Sequence, residues 1–139
     1  MPLLTKADLK THIYPEITDV ITRTDDTIVQ EAIDNGESEV KAYLNRYDLV
    51  VMFDPAYTDK FLRGVVKDVV CWHLIKLANP NINLELFRTL YKDAKNTLEK
   101  VMIGKIDPQW PLRIDDPNTP NDDSGNVEYR SLTKRNNHY

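Results

Sequence analysis

The sequence predicts an all-α protein, a small bundle of about four helices followed by an extended, proline-rich C-terminal arm. Apolar residues recur at helical spacing in several segments, and one segment is apolar around most of its circumference. The composition then changes after Gly104, since four of the eight prolines lie beyond it. We therefore predict a helical bundle domain over residues 1–105 and an extended arm over residues 106–139.

The first element is a short capped helix. Thr5 and Asp8 have the spacing of a capping box, in which each side chain satisfies a backbone N–H of the first turn. Leu9 and Ile13 then share one face. Pro15 ends this helix or starts another, because the residue before a proline is displaced from the helical region.

The second element is a long helix from about Thr27 to Tyr47. Gly36 lies within its apolar stripe, and glycine weakens a helix interior. The position is therefore either a break in the helix or a point of close approach by a neighbouring helix. We favour the continuous helix.

The connection to the third element contains the apolar stretch LVVMF, residues 49–53. No partner strand is evident nearby, so we interpret the stretch as a loop that packs on the bundle. Pro55 and Thr58 follow, and Thr58 is the candidate N-cap of the next helix.

The third element is the most apolar helix, from Tyr57 or Thr58 to Ala78. Its polar edge is narrow and consists of Lys60, Arg63, Lys67 and Asp68. A helix that is apolar nearly all round lies at the centre of its fold. The following Asn79-Pro80-Asn81 segment is expected to end it.

The central helix also contains Cys71-Trp72-His73, the one place where the sequence suggests nucleophilic chemistry. Residues two apart on a helix do not face each other, so Cys71 and His73 do not form a catalytic pair. Free cysteine is often buried as a small hydrophobic residue. We interpret the stretch as part of a buried helix, with Trp72 as a core or interface residue.

The fourth element is a helix from about Asn83 to Ile103, with Asn83 as its candidate N-cap. A regular apolar stripe runs along it. Gly104 stands where a left-handed C-cap is expected. The bundle is therefore expected to end at this glycine.

Composition and motifs exclude several function classes. The formal net charge of −4 argues against a dedicated nucleic-acid-binding protein. No apolar run approaches the ~20 residues that span a bilayer, and no secretory signal is evident, so we expect no membrane partner. One cysteine, isolated glycines and an acidic run that lacks the EF-hand pattern predict no catalytic residue, no cofactor and no metal site.

Three segments together resemble a known family. They are LLTKADL at the N-terminus, AIDNGESEVKAYLNRYDL in the second element and LFRTLYKDAKNTLEKVMIGK in the fourth. Their order is a capped short helix, a long helix ending in Tyr-Leu-x-x-Arg-Tyr, and an Arg-x-x-Tyr-x-x-Ala-x-x-x-Leu helix closing on Gly-Lys. From Leu3 to Lys105 this resembles the head–tail connector proteins of tailed phages, also called head-completion or portal-adaptor proteins. The arm beyond Lys105 lies outside the resemblance.

The resemblance implies a non-enzymatic structural subunit of a tailed phage or prophage. About a dozen copies would form a ring beneath the portal protein of the capsid, extend the DNA channel and provide the tail attachment site. The expected partners are the portal protein, neighbouring copies of the chain, head-closure or tail proteins, and DNA that passes without sequence-specific binding. The expected location is the neck of the virion, after synthesis and assembly in the cytoplasm of the bacterial host.

The arm is the predicted interface with neighbouring proteins. Its apolar and aromatic side chains have no core of their own, and VEYRSL, residues 127–132, alternates like a short strand that adds to a partner's sheet. Trp110 either anchors the arm on a neighbour or folds back on its own bundle. The candidate interface residues are Trp110, Leu112, Ile114, Val127, Tyr129, Arg130, Leu132 and Tyr139.

Two other functions compete with the connector. A small helical protein-binding or regulatory module would act through its C-terminal tail and form no ring. A thiol enzyme would depend on Cys71, which would then react rapidly with thiol reagents in the native protein.

Overall fold

A computed structural model of the chain describes residues 2–77 and 84–114. Those residues form a 3₁₀ helix, Lys6–Thr11, and the helices α1 (Pro15–Thr22), α2 (Asp26–Tyr43), α3 (Leu49–Met52), α4 (Lys60–Ile75) and α5 (Leu84–Met102). Apart from one isolated β-bridge, no strand occurs in these two ranges. The prediction of a small all-α bundle is confirmed.

The N-terminal capping box forms as predicted. The backbone N–H of Thr5 donates to Asp8 Oδ2 at 2.8 Å, and the Thr5 hydroxyl donates to the same oxygen at 2.8 Å. Partial burial acts to raise the pKa of Asp8, but these hydrogen bonds from Thr5 outweigh it and lower that pKa. Pro15 is the first residue of α1, where its missing N–H costs no helical hydrogen bond.

The helix α2 runs unbroken through Gly36, as predicted. A Cβ added at this glycine would lie 2.5 Å from Val70 Cγ2 of α4, so only a residue without a side chain allows the two helices to approach this closely. The helix ends at Tyr43, earlier than predicted. Tyr47 lies beyond its end and is nevertheless buried.

The LVVMF stretch was wrongly predicted as a loop, because Leu49–Met52 forms the short helix α3. The side chain of Asp48 accepts hydrogen bonds from the N–H groups of Val50 and Val51, which starts the helical turn. Met52 and Phe53 are buried, so the expected packing on the bundle is correct.

The central position of α4 is confirmed, because it packs against both α2 and α5. Its N-cap is Asp59 and not Thr58: Asp59 Oδ1 accepts the N–H of Leu62 at 2.7 Å. The helix ends at Ile75, earlier than predicted. Its fully buried residues form the middle of the core, namely Leu62, Val66, Val70, Leu74 and Ile75.

The helix α5 closes the bundle and ends as expected. It spans Leu84–Met102, and Gly104 follows with a left-handed φ of 84°. Ala94, Leu98 and Val101 are its buried residues. The predicted cap Asn83 and the Asn79–Asn81 segment lie outside the described residues.

One carboxylate on α2 lies inside the fold. Glu37 is 4% exposed, and its Oε1 accepts the backbone N–H of Leu4 at 3.1 Å. Burial raises the pKa of Glu37. This contact fixes the N-terminal segment, with its buried Leu3 and Leu4, against α2.

Candidate assembly interface

Trp110 is buried on its own bundle. It is 3% exposed, and its ring centroid lies 5.5 Å from that of Tyr47 and 5.7 Å from that of Phe61. The sequence left open whether Trp110 docks on a neighbouring protein or folds back on its own bundle, and in the structure it folds back on its own bundle. The reason is that aromatic residues from two separate segments form a recess that accepts the indole. We call this recess, made by Tyr47, Phe61 and the backbone of residues 46–48, the docking notch.

The backbone of the arm pairs with the docking notch on either side of Tyr47. The N–H of Asp48 donates to the carbonyl oxygen of Pro111 at 2.9 Å, and the N–H of Arg113 donates to the carbonyl oxygen of Arg46 at 3.1 Å. These bonds make Tyr47 and Leu112 an antiparallel β-bridge. The described part of the arm is therefore held by backbone hydrogen bonds as well as by Trp110.

The hinge between α5 and the docked arm, residues 103–109, contains two left-handed residues. Gly104 adopts its φ of 84° without a steric cost, but Gln109 has a φ of 57° and a side chain, which costs ~1 kcal/mol. Its N–H donates to Asp107 Oδ1 at 3.0 Å. The turn that returns the arm to its own bundle is therefore strained at Gln109.

The indole nitrogen of Trp110 adds a second unfavourable contribution. Among the described residues Nε1 is the buried side-chain polar atom that lacks a hydrogen-bond partner. An unmet buried donor costs about 1–3 kcal/mol. The docked arm is consequently less stable than the buried area of Trp110 alone indicates.

Beyond Trp110 the arm turns towards solvent. Leu112 is 60% exposed and Ile114 is 85% exposed, so both are available to another protein, as the interface prediction requires. The other candidates lie outside the described residues, and their roles stay predictions: Val127, Tyr129, Arg130, Leu132 and Tyr139. The boundary predicted between residues 105 and 106 also stays a prediction.

Sequence reasoning missed the apolar surface next to the docking notch. Val50 and Val51 on α3 are exposed, and Phe61 is partly exposed although its ring contacts Trp110. The available signal was the run of five apolar residues at 49–53, since one helical turn cannot bury all of its faces. This surface and the start of the arm meet where Asp48 bonds Pro111.

Cys71 is a buried core residue, in agreement with the structural interpretation of Cys71-Trp72-His73. It is 2% exposed, and burial raises the pKa of its thiol to about 12. The thiolate is the nucleophilic form of cysteine, so this thiol is not activated at neutral pH.

His73 contacts Glu39 of α2 and not Cys71, and the sequence did not predict this contact. Its Nε2 lies 2.8 Å from Glu39 Oε2, and the Tyr91 hydroxyl donates to Glu39 Oε1. The Tyr91 ring stacks on Trp72 with centroids 5.5 Å apart. Burial, together with the hydrogen bond to Glu39, raises the pKa of Tyr91 to about 12. The group joins α2, α4 and α5 through their polar edges.

The outer face of α2 is acidic. Asp26, Glu31 and Asp34 are exposed on it, and Gln30 donates to Asp34 at 3.0 Å. Lys6 partly compensates at one end, with its Nζ 2.8 Å from Asp26 Oδ1. A surface of this charge repels phosphate groups.

The described ranges show little that resembles a cofactor site. An apolar groove of about 350 Å³ lies between the 3₁₀ helix and α1, lined by Lys6, Ala7, Leu9, Lys10, Ile13, Pro15 and Thr18. Within residues 2–77 and 84–114, no three His, Cys, Asp or Glu side chains are placed to hold a metal ion. None of the helices in that part of the chain has the length and apolarity to cross a membrane.

Residues 4–129 match a family model described as Bacteriophage Mu, Gp36. The chain belongs to this family. The phage part of the resemblance seen in the sequence is therefore correct, and this is a bacteriophage protein. No curated protein and no solved structure matches the chain.

Membership of the Gp36 family changes the interpretation of the arm. The resemblance seen in the sequence ended at Lys105, whereas the family match continues to Tyr129. It therefore includes the docking residue Trp110 and the exposed Leu112 and Ile114. The family match therefore extends into the arm as far as residue 129.

Proposed function

We propose that this Gp36-family protein is a structural subunit of the neck of a tailed bacteriophage or prophage. In this role, a ring of about a dozen copies lies beneath the portal protein, extends the DNA channel and provides the tail attachment site. The protein is then part of the virion and is assembled in the host cytoplasm. The observation that supports the proposal most is the family match over residues 4–129, which includes nearly all of the bundle and residues 106–129 of the arm.

The arm supports a role in assembly. Trp110 fixes the start of the arm on the docking notch, while Leu112 and Ile114 remain exposed. Residues 115–139 follow, and a chain of that length extends at most roughly 85 Å. The arm therefore has an anchored start, adjacent apolar side chains and enough length to contact neighbouring copies, the portal protein or a head-closure or tail protein.

The acidic outer face of α2 suits the wall of a channel through which DNA passes. Asp26, Glu31 and Asp34 on the outer face of α2 are exposed, and acidic groups repel phosphates instead of neutralising them. We propose that this face of α2 points towards the channel. DNA would then pass without sequence-specific contacts.

We also propose that the subunit has no enzymatic activity. Cys71 is buried with a pKa of about 12, and His73 is hydrogen-bonded to Glu39 instead of facing a nucleophile. The side chains that suggested chemistry in the sequence have structural roles in the bundle.

The experiment is affinity purification of the N-terminally tagged chain from cells that produce the phage. Partners are identified by mass spectrometry, and the eluate is imaged by negative-stain electron microscopy. We expect portal and tail proteins together with ring-shaped particles. Recovery of one regulatory or metabolic partner without rings would instead support the protein-binding module and would overturn the connector.

Two matched variants connect the result to the arm. Leu112→Ser combined with Ile114→Ser removes exposed apolar side chains from the proposed interface, and we expect it to reduce the recovery of partners. Val20→Ser changes an apolar residue on α1 that is 73% exposed and that the proposal does not use. Equal recovery with both variants would exclude this part of the arm from the interface.

A further inference from the structure

The docking notch and the arm belong to parts of the chain that are only distantly connected. Tyr47 follows α2 and Phe61 lies at the start of α4, whereas the arm leaves from the end of α5. The hinge, residues 103–109, is the covalent link between α5 and Trp110. An identical notch on a neighbouring copy presents the same rings and the same backbone groups to an arm that arrives from another chain.

We propose that in the assembled ring each arm docks in the notch of the next copy, so that neighbouring subunits exchange arms. This inference rests on the ring of the proposed function. Exchange of an identical element is a low-cost route to oligomers. Each copy then donates one arm and accepts one, and such a head-to-tail contact forms a ring when the rotation between neighbouring copies closes.

The contacts of the arm are the same within one chain and between chains, so the hinge decides which arrangement is favoured. The Trp110 contacts and the Asp48–Pro111 and Arg113–Arg46 hydrogen bonds are kept after exchange. The left-handed φ of 57° at Gln109 serves the turn back to the same bundle, and an extended hinge does not need it. Strained hinges favour domain swapping.

The length of the hinge sets how far the arm can reach. Residues 103–109 span up to roughly 24 Å when extended, so the exchange requires that the notch of the next copy lies within this distance of the end of α5. Copies held side by side in a ring also present the notch at a high effective concentration. A single copy in dilute solution lacks this advantage and keeps its arm on its own notch.

The β-bridge provides a direct test by cross-linking. The flanking hydrogen bonds identify Tyr47 and Leu112 as a non-hydrogen-bonded antiparallel pair, whose Cα atoms are typically about 4.5 Å apart. That spacing is suitable for a disulfide. In a Cys71→Ala background, Tyr47→Cys and Leu112→Cys are placed in separate copies of the full chain. Both chains are co-expressed during phage production, and the recovered rings are oxidised.

In this mixture a disulfide between the two chains forms only if an arm reaches a neighbour's notch. We expect covalent dimers of the two different chains. With both cysteines in one chain, we expect a ladder of linked copies. Leu112→Cys paired with Val20→Cys is the control for random collision. Rings in which the double variant gives only internally linked single chains would overturn the exchange and leave the ring intact. The absence of rings would overturn both proposals.

Two variants of the hinge provide a second test, in which the pair of cysteines is kept and only residue 109 is changed. Gln109→Gly removes the cost of the left-handed residue and favours the return to the same bundle. Gln109→Pro cannot adopt this φ and has no N–H for Asp107, so it favours exchange. With Leu112→Cys and Tyr47→Cys together, we expect the ratio of inter-chain to intra-chain disulfides to fall about fivefold with glycine and to rise at least as much with proline. An unchanged ratio in both variants would overturn the exchange.

Discussion

Replacing Trp110 with alanine should release the arm from the docking notch of the isolated chain. A fully buried tryptophan removes about 150–250 Å² from water, which corresponds to roughly 4–6 kcal/mol at ~25 cal/mol per Å². This is an upper estimate, because the unfolded chain already covers part of that area. The substitution also removes the unpartnered Nε1 donor, which regains about 1–3 kcal/mol of stability. We therefore predict that Trp110→Ala lowers the free energy of unfolding by about 1–5 kcal/mol.

Urea denaturation followed by far-ultraviolet circular dichroism measures the size of this loss, and amide hydrogen exchange locates it. The N–H groups of Asp48 and Arg113 are hydrogen-bonded across the β-bridge, so their protection should fall most. Leu112→Ala is the matched control, because its exposed side chain is replaced while the backbone bridge is kept. Its effect on stability should stay within about 0.5 kcal/mol.

Two results would refute this reasoning. The first is a loss below about 0.5 kcal/mol for Trp110→Ala, the range of ordinary surface substitutions. The second is unchanged protection of the Asp48 N–H, which would mean that the backbone bridge forms without the indole. In either case Trp110 is not what holds the arm.

Three further predictions concern the bundle. Gly36→Ala should destabilise the chain by about 1–3 kcal/mol, because the added Cβ would lie 2.5 Å from Val70 Cγ2. A Cβ added at Gly64 meets nothing within 4 Å, so Gly64→Ala should stabilise the chain by about 0.5–1 kcal/mol. Thermal unfolding of both variants separates the effect of packing from that of helix propensity. A stabilising effect of Gly36→Ala would contradict the close approach of the two helices. Burial raises the pKa of Glu37, so the stability of the wild-type chain increases as the pH falls through that raised pKa. Glu37→Gln carries no charge at this position and should be more stable than the wild type at about pH 7. This difference in stability should be smaller at about pH 4. Urea titrations at both pH values measure this, and an equal advantage at both would contradict it. Cys71, with a pKa of about 12, should react with a thiol reagent only after denaturation; rapid labelling of the native chain would contradict its burial.

The helices were predictable because apolar periodicity is a local property. The stripe that contains Gly36 indicated both the continuous α2 and the close approach of another helix, and the composition of the third segment indicated the central α4. The C-terminal stop at Gly104 was also correct, since a glycine directly after an apolar stripe is typical of a left-handed C-cap. These features depend on residues that are near one another in the sequence.

Helix starts were less predictable where several capping residues compete. Thr58 and Asp59 are adjacent and both suit an N-cap, and the structure uses the carboxylate of Asp59. At Asp48 the cap was missed, because the apolar residues that follow it were interpreted as a loop. Side-chain geometry decides between neighbouring caps, and a sequence pattern does not contain it.

The position of Trp110 was not decidable from the sequence. Its receptor consists of Tyr47 and Phe61, which are far from it along the chain, so no local pattern connects the three residues. The hydrogen bond between Glu39 and His73 was missed for the same reason. The burial of Glu37 was missed as well, because its hydrogen-bond partner is the backbone N–H of Leu4, 33 residues earlier in the chain.

Native mass spectrometry of the complex purified from phage-producing cells tests most directly whether this Gp36-family chain is a ring subunit. The mass of one chain is 16.1 kDa, so the number of copies follows from the mass of the assembly. We predict one closed assembly of about a dozen copies, alone or bound to the portal protein. Monomers or dimers as the largest species, in cells that release complete phage particles, would contradict the ring.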